Sequence, residues 1–346
     1  FRSFSMINTR SNDTLSFRTE FKGGNLGNDF YNLNLYHTID KDKKNVVGFN
    51  KSEMMFKNFL WYIKEKEDTN NRIVFDSNFK DVHFNDITIS HENQYVNLNG
   101  IMNGLKEKDI KLTFHEVNLS KITPDIEEFV FEGNVNGDVY LKQNNAIYQP
   151  RANLTIDDLV LNDNQLGNLN LNIEGDNDFE KFIIDAGIEN ENFKSLNAQG
   201  TIHIKNNESL LDLDLDFQKF NLGILGKIAD GVLSNVRGEV SGNAKVQGKI
   251  NDLDYNGTLL VDNAGFGIPY LGVDYAFDNQ TPVLVDKTSF TVSNTAIIDT
   301  KYKTKGNFSG VISHKKFGNW NLDLNVNSNN ILALDTKDYE DAAFFG

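Results

Sequence analysis

The chain reads as an all-β protein, an elongated and repetitive antiparallel sheet that carries one or a few short helices. Three observations predict this. Apolar and polar residues alternate at period 2 through much of the sequence, clusters of Asn, Asp and Gly punctuate the alternating runs, and one stretch repeats another at a fixed offset. Period 2 puts one set of side chains on an apolar face and the other on a wet face, the pattern of antiparallel pairing.

The clearest run is Leu211, Leu213, Leu215 and Phe217, with Asp212, Asp214 and Asp216 between them. Leu33/Leu35, Val96/Leu98, Ile110/Leu112/Phe114, Leu169/Leu171/Ile173, Ile202/Ile204 and Trp320/Leu322/Leu324/Val326 follow the same rule. Turn clusters separate the runs at Lys142–Asn145, Asn162–Asn164, Gly175–Asn177, Asn206–Asn207 and Ser328–Asn330. Only four prolines occur, at 124, 150, 269 and 282, so the sheet meets few breaks. Two stretches depart from alternation. Gly223–Val236 places Ile224, Leu225, Ile228, Val232, Leu233 and Val236 at helical spacing. Ser52–Glu67 is a second candidate helix, with Met55, Phe56, Phe59, Leu60 and Ile63 on one side and Ser52 as its N-cap.

The repeat joins Phe131–Lys142 to Val236–Gln247. Gly133 meets Gly238, Gly137 meets Gly242, and Val135 meets Val240, an offset of 105. The same offset carries Leu154 onto Leu259, Ile156 onto Val261 and Leu166-Gly167 onto Leu271-Gly272. The counterpart of the helical segment is Leu119–Phe131, with Pro124 near its start. The expected organisation is an N-terminal stretch over 1–118 with a short helix near 52–67, a repeat unit over 119–222, and a second unit with its continuation over 223–346. Repeats of this kind build long surfaces rather than compact pockets.

Composition narrows the function classes. The 34 basic and 49 acidic residues give a net charge of −15. That sign opposes nucleic acid, which needs Lys and Arg to displace phosphate counterions, and opposes anionic headgroup surfaces. The absence of Cys excludes disulfides, a thiol nucleophile and Cys-type zinc sites. No apolar run approaches the ~18 residues of a spanning helix, and no signal peptide is evident. The chain opens at Phe1 and closes at Gly346 as a piece of a longer protein would. No catalytic constellation is found, so no enzyme, cofactor or metal is expected. His83 and His91 lack metal-ligand spacing. Asp212, Asp214 and Asp216 lack the glycine a calcium loop needs at its sixth position, where Phe217 stands. Gly265-Phe266-Gly267-Ile268-Pro269 leads into a strand-like run rather than a phosphate-binding helix. Trp61, Tyr62 and Trp320 read as packing residues.

Four segments, Val117–Pro124, Phe131–Gly137, Tyr148–Ile156 and Phe266–Tyr275, resemble the C-terminal half of the TamB family within the AsmA-like group, in a Bacteroidetes style. The resemblance covers nearly the whole chain, through degenerate strand-and-turn patterns with no catalytic signature. It implies a sheet curled into a taco or U-shaped trough with an apolar interior. It also implies a periplasmic bridge-like protein that conducts phospholipid between inner and outer membranes, supports outer-membrane protein assembly, or does both. The implied partners are phospholipid acyl chains, an outer-membrane BamA-type barrel reached through a missing C-terminal part, and the inner membrane reached through a missing N-terminal helix. Leu332–Gly346 resembles the approach to that family's C-terminal domain. The residues expected to line the groove are Leu154, Ile156, Leu169, Leu171, Ile173, Leu211, Leu213, Leu215, Phe217, Leu322 and Leu324. The competing readings are an adhesion or binding array of β-sandwiches, and a chaperone-like scaffold that offers sheet edges to nascent barrel strands.

Overall fold

A computed structural model describes residues 2–336 apart from 24–28, 67–69, 124–129, 146, 191–192, 206–207, 229–230 and 317. Glu67, Pro124, Asn206–Asn207 and the closing residues 337–346 therefore lie outside the described residues. The described residues are almost all β, with 23 strands in one antiparallel sheet and only short helical turns among them. Among the described residues no helix is long and apolar enough to cross a membrane. The chain divides into two compact units, one of residues 1–125, 131–159 and 170–182, the other of residues 126–130, 160–169 and 183–346.

The first unit holds β1 (Arg2–Ser11), β2 (Thr14–Gly23), β3 (Asp29–Ile39), β4 (Asn45–Phe49), β5 (Ser52–Phe56), β6 (Phe59–Ile63), β7 (Arg72–Phe75), β8 (Asp81–His91), β9 (Gln94–Asn103) and β10 (Glu107–Asn118). The helical turn α1 (Leu119–Ile122) and β11 (Phe131–Asn144) follow. Three long strands, β12 (Ile147–Leu161), β13 (Asn164–Gly175) and β14 (Lys181–Asn190), run across the division. The second unit continues with β15 (Phe193–Lys205), β16 (Glu208–Asn221), a 3₁₀ turn (Leu222–Ile224) and the helical turn α2 (Leu225–Ile228). It closes with β17 (Ser234–Lys249), β18 (Asp252–Ile268), a 3₁₀ turn (Pro269–Leu271), β19 (Val273–Phe277), β20 (Thr281–Asp286), β21 (Ser289–Asp299), β22 (Lys305–Lys315) and β23 (Gly318–Asn327).

The candidate helix over 52–67 is instead the hairpin β5–β6, in register Met54 to Trp61 and Ser52 to Ile63. Its two-residue turn is Lys57-Asn58, both at positive φ (51° and 64°), the geometry that matches strand twist. Ser52 caps no helix. It is fully buried, its hydroxyl accepting from the Asn34 N–H at 2.9 Å and donating to the Asn50 carbonyl at 2.9 Å. The other helical segment is shorter than its spacing implies. Among the described residues of this segment only Leu222–Ile228 is helical, Gly231 turns the chain at φ 79°, and Val236 already belongs to β17.

The repeat is a structural one. Gly133 and Gly238 share φ near 130° and 119°, and Gly137 and Gly242 share 117° and 127°. These values suit glycine alone. Gly137 lies against the backbone of Asn153 and Leu154, and Gly242 against that of Thr258 and Leu259, the same pair displaced by 105. Asp158 and Asn263 are both left-handed, at 52° and 48°. Upstream, the Asn118 side chain accepts from the Ser120 N–H at 3.0 Å and starts α1, while Asn221 accepts from the Gly223 N–H at 2.8 Å and starts the turn before α2. A bulge precedes each cap. The left-handed Glu116 and Lys219 there donate their N–H to Asn136 and Ser241 on the next strand.

A candidate apolar ligand site

Directly opposed residues of an antiparallel pair share one face, so the registers of the second unit trace rows across it. One row runs Ala198, Leu215, Ala244, Gly257, Val285, Phe290, Ile312 and Leu322 over eight strands. The next runs Leu196, Phe217, Gly242, Leu259, Val283, Val292, Gly310 and Leu324. Both are apolar at every position, and at roughly 4.8 Å per strand each spans about 34 Å. Leu213 continues through Val246 to Tyr255, and Leu211 through Gly248 to Leu253. The opposite face is wet. Asp212, Asp214 and Asp216 are exposed there, and Lys245 bridges Asp212 at 2.8 Å and Asp214 at 3.3 Å.

The rows converge on a cavity of about 190 Å³ lined by Val240, Leu259, Val261, Phe266, Val283, Val292, Phe308 and Trp320, among others. Leu222, Leu225 and Leu233, from the helical crossing and the loop after it, complete its wall. Strands β17 and β23 stand five ladders apart, roughly 24 Å along a flat sheet, yet Val240 and Trp320 border one cavity. The sheet of this unit therefore curls around it. Enclosed apolar cavities of about 150 Å³ accept small apolar ligands, and the apolar lining of this space likewise suits a hydrocarbon segment.

The polar groups at its border are neutralised or buried. Arg237 holds Asp274 with two nitrogens, at 2.7 and 3.0 Å, and also donates to the Tyr275 carbonyl. His314 is buried between Phe290 and Trp320, with ring centroids at 5.5 and 4.9 Å. Its Nε2 lies 3.2 Å from the Tyr255 hydroxyl. Burial holds the imidazole below its ordinary range against the opposing pull of Asp286. Burial, with Asp286 adding to it, pushes the Tyr255 hydroxyl up to about 12. Both groups therefore stay neutral near pH 7. Beside the cavity, Phe266, Val273, Tyr275, Ile297, Phe308 and Leu332 form a closed core, and the Tyr275 hydroxyl donates to the Leu332 carbonyl at 2.7 Å.

All eleven residues expected to line the groove are half-buried strand residues. Leu215 and Leu322 end up in one row, and Phe217 and Leu324 in the next. Leu154 and Ile156 lie on β12, where Ile156 packs on the cluster of Trp61, Val117 and Val135 in the first unit. Leu169, Leu171 and Ile173 lie on β13. None of the eleven lines the cavity. The signal for two residues that do was present, because Leu259 and Val261 are the repeat counterparts of Leu154 and Ile156. Val283, Val292 and Phe308 carried no such signal, since only the register brings them together. Trp61 is buried and Trp320 half-buried. His83 and His91 sit at opposite ends of β8, roughly 26 Å apart, and bind Asp81 and the Leu60 carbonyl. After Gly265–Ile268 comes a single 3₁₀ turn and then β19. Among the described residues no group of three or more His, Asp or Glu is placed to hold a metal.

The fold and site together define an all-β sheet protein with an apolar face and a cavity of apolar lining. No family model, curated protein or solved structure matches the chain.

Proposed function

We propose that the chain conducts phospholipid acyl chains along the apolar face of its sheet, as a section of a periplasmic bridge of the TamB and AsmA-like kind. On this reading it is no enzyme. The observation that carries it is the pair of unbroken apolar rows across eight strands, half-buried at their outer leucines and leading to an apolar cavity. Each methylene removed from water along such a face is worth about 0.8 kcal/mol, and passage needs no bond chemistry. The same reading places the protein between the inner and outer membranes, anchored by a segment outside this chain. A BamA-type barrel would be its outer-membrane partner, with outer-membrane protein assembly as a linked role.

The test is photo-crosslinking from positions 171, 213 and 322, followed by mass spectrometry of attached lipid. Phospholipid at all three supports the reading, and none at any of them in folded protein sinks it. A second reading, edge pairing with nascent barrel strands, draws on β1, whose Phe4 and Ile7 are 65% and 60% exposed. It predicts crosslinks to peptide from β1 and no lipid on the rows.

A further inference from the structure

The first unit carries an unexplained polar atom on its apolar face. Trp61 is 4% exposed, and its indole N–H has no hydrogen-bond partner among the described residues. Buried Trp N–H groups are almost always satisfied, and an orphan is costly. Its side-chain neighbours Val117, Val135, Ile89, Val96, Phe114 and Ile156 form one apolar cluster with it. His91, whose ring centroid lies 5.3 Å from the indole, donates from Nδ1 to the Leu60 carbonyl and makes no hydrogen bond to the indole N–H. One part of the cluster stands outside the sheet ladders, the helical turn α1 with Leu119 and Ile122. It is tied down by the Lys57 ammonium, which donates to the Thr123 carbonyl at 2.8 Å, and by Lys121 over the Phe59 ring at 4.9 Å. No strand pairing holds this turn over the cluster.

We infer that Trp61 is a specificity-determining residue for acyl esters, its indole N–H donating to the ester carbonyl oxygen of a chain admitted beneath α1. The inference rests on the proposed lipid path and adds to it the group that is read. A pure hydrocarbon tail would leave the donor orphaned, whereas an ester carbonyl beside an apolar tail satisfies both the donor and the cluster. A net hydrogen bond in such a setting corresponds to about three- to tenfold in affinity.

The experiment is calorimetric titration of the whole chain with lysophosphatidylcholine and with its 1-O-alkyl ether analogue, which keeps the same chain length and headgroup. The expected result is ester bound about three- to tenfold more tightly than ether. Trp61→Phe, which keeps the ring and removes the donor, is expected to erase that preference while still binding the ether form. Equal affinity of the unmodified chain for both probes overturns the inference and leaves the lipid path standing. A preference that survives Trp61→Phe also overturns it. Binding of neither probe overturns the path and the inference together. The ester-to-ether ratio of the unmodified chain is independent of whether the variant folds.

Discussion

The repeat glycines make the most demanding prediction. Gly137 and Gly242 occupy φ of 117° and 127°, where a side chain costs about 1–3 kcal/mol in backbone strain. A Cβ on Gly137 would also fall on the Asn153 carbonyl oxygen, and one on Gly242 would stand 2.7 Å from that of Thr258. Both obstacles are backbone atoms held in a strand ladder, so neither can swing aside. Gly137→Ala and Gly242→Ala should therefore each cost about 3 kcal/mol, near the top of the strain range. For units of this size each kcal/mol shifts melting by about 2–4 °C, so the drop should be about 6–12 °C. Differential scanning calorimetry reads it. Gly104→Asn is the control, because Gly104 sits at φ 62° with nothing near a new Cβ and Asn tolerates that region. It should melt within about 2 °C of the parent, as surface changes of about 0.5 kcal/mol do. If both alanine variants also melt within that margin, the strain argument and the structural equivalence of the two glycines fail together.

Three further outcomes follow from the same geometry. Leu213→Asp, on a half-buried row, is expected to abolish lipid crosslinking from position 322 while far-UV circular dichroism stays that of the parent; global unfolding would mean a closed core. Glu53→Cys with Tyr62→Cys should form a disulfide on mild oxidation, because β5 and β6 oppose these residues directly. In a helix the same nine-residue spacing is about 13.5 Å, beyond the ~7 Å limit of a bridge, so failure to crosslink would restore the helix. Asp299 is fully buried. Burial alone would raise its carboxyl, but the Thr304 hydroxyl and the N–H groups of Tyr302, Thr304 and Lys301 outweigh this and hold it below the ordinary value. Its contribution is thus complete above the unfolded value of about 3.9 and is lost as pH falls through the lower folded one. Asp299→Asn should destabilise the chain at pH 7 by about 1–3 kcal/mol, and the gap to the parent should narrow on acid titration. A gap unchanged at pH 3 would refute the assignment.

Much of the fold was legible because its signals are local. Alternation at Leu211–Phe217 marks a strand whatever its partners, and glycines spaced like 133/137 and 238/242 mark places where backbone passes close to backbone. The hairpin over 52–63 was not legible. Met55, Phe56, Phe59, Leu60 and Ile63 satisfy a helical period, and the turn Lys57-Asn58 carries no glycine to announce itself. Short apolar runs of this kind are ambiguous by periodicity alone. What decides the case is nonlocal: β5 pairs with β3, and β6 with β8, which no window of sequence contains. The cavity is nonlocal in the same sense. Phe266, Val283 and Phe308 come from three strands, and only the split partner of β18, with β20 along Gly257–Val261 and β19 along Gly265–Ile268, curls them together. The helical spacing at Gly223–Val236 overran for a simpler reason. Val232 and Val236 kept the period after Gly231 had already turned the chain.

The half-burial of Leu215, Leu322 and Leu324 in the rows bears on transport as well as on folding. A tail of about sixteen methylenes, fully buried at about 0.8 kcal/mol each, would gain about 13 kcal/mol. That corresponds to a dissociation constant near or below 1 nM, a trap rather than a path. The same tail laid on a face that removes about half its surface from water gains about 6 kcal/mol, which corresponds to tens of micromolar and permits release. A closed hydrophobic core such as the one around Ile297 and Leu332 could not act in this way, because its contacts are already made within the chain. Rows whose leucines stay half-covered, leading to a small apolar cavity beside a helical crossing, suit a chain that must hold lipid weakly at many points and firmly at few. The two helical crossings differ in what they meet: Leu119 and Ile122 of α1 pack on the cluster that holds Trp61, whereas Leu222 and Leu225 at the start of the second crossing line the cavity. On the proposed reading, the same backbone thus gives one point that selects and one that stores.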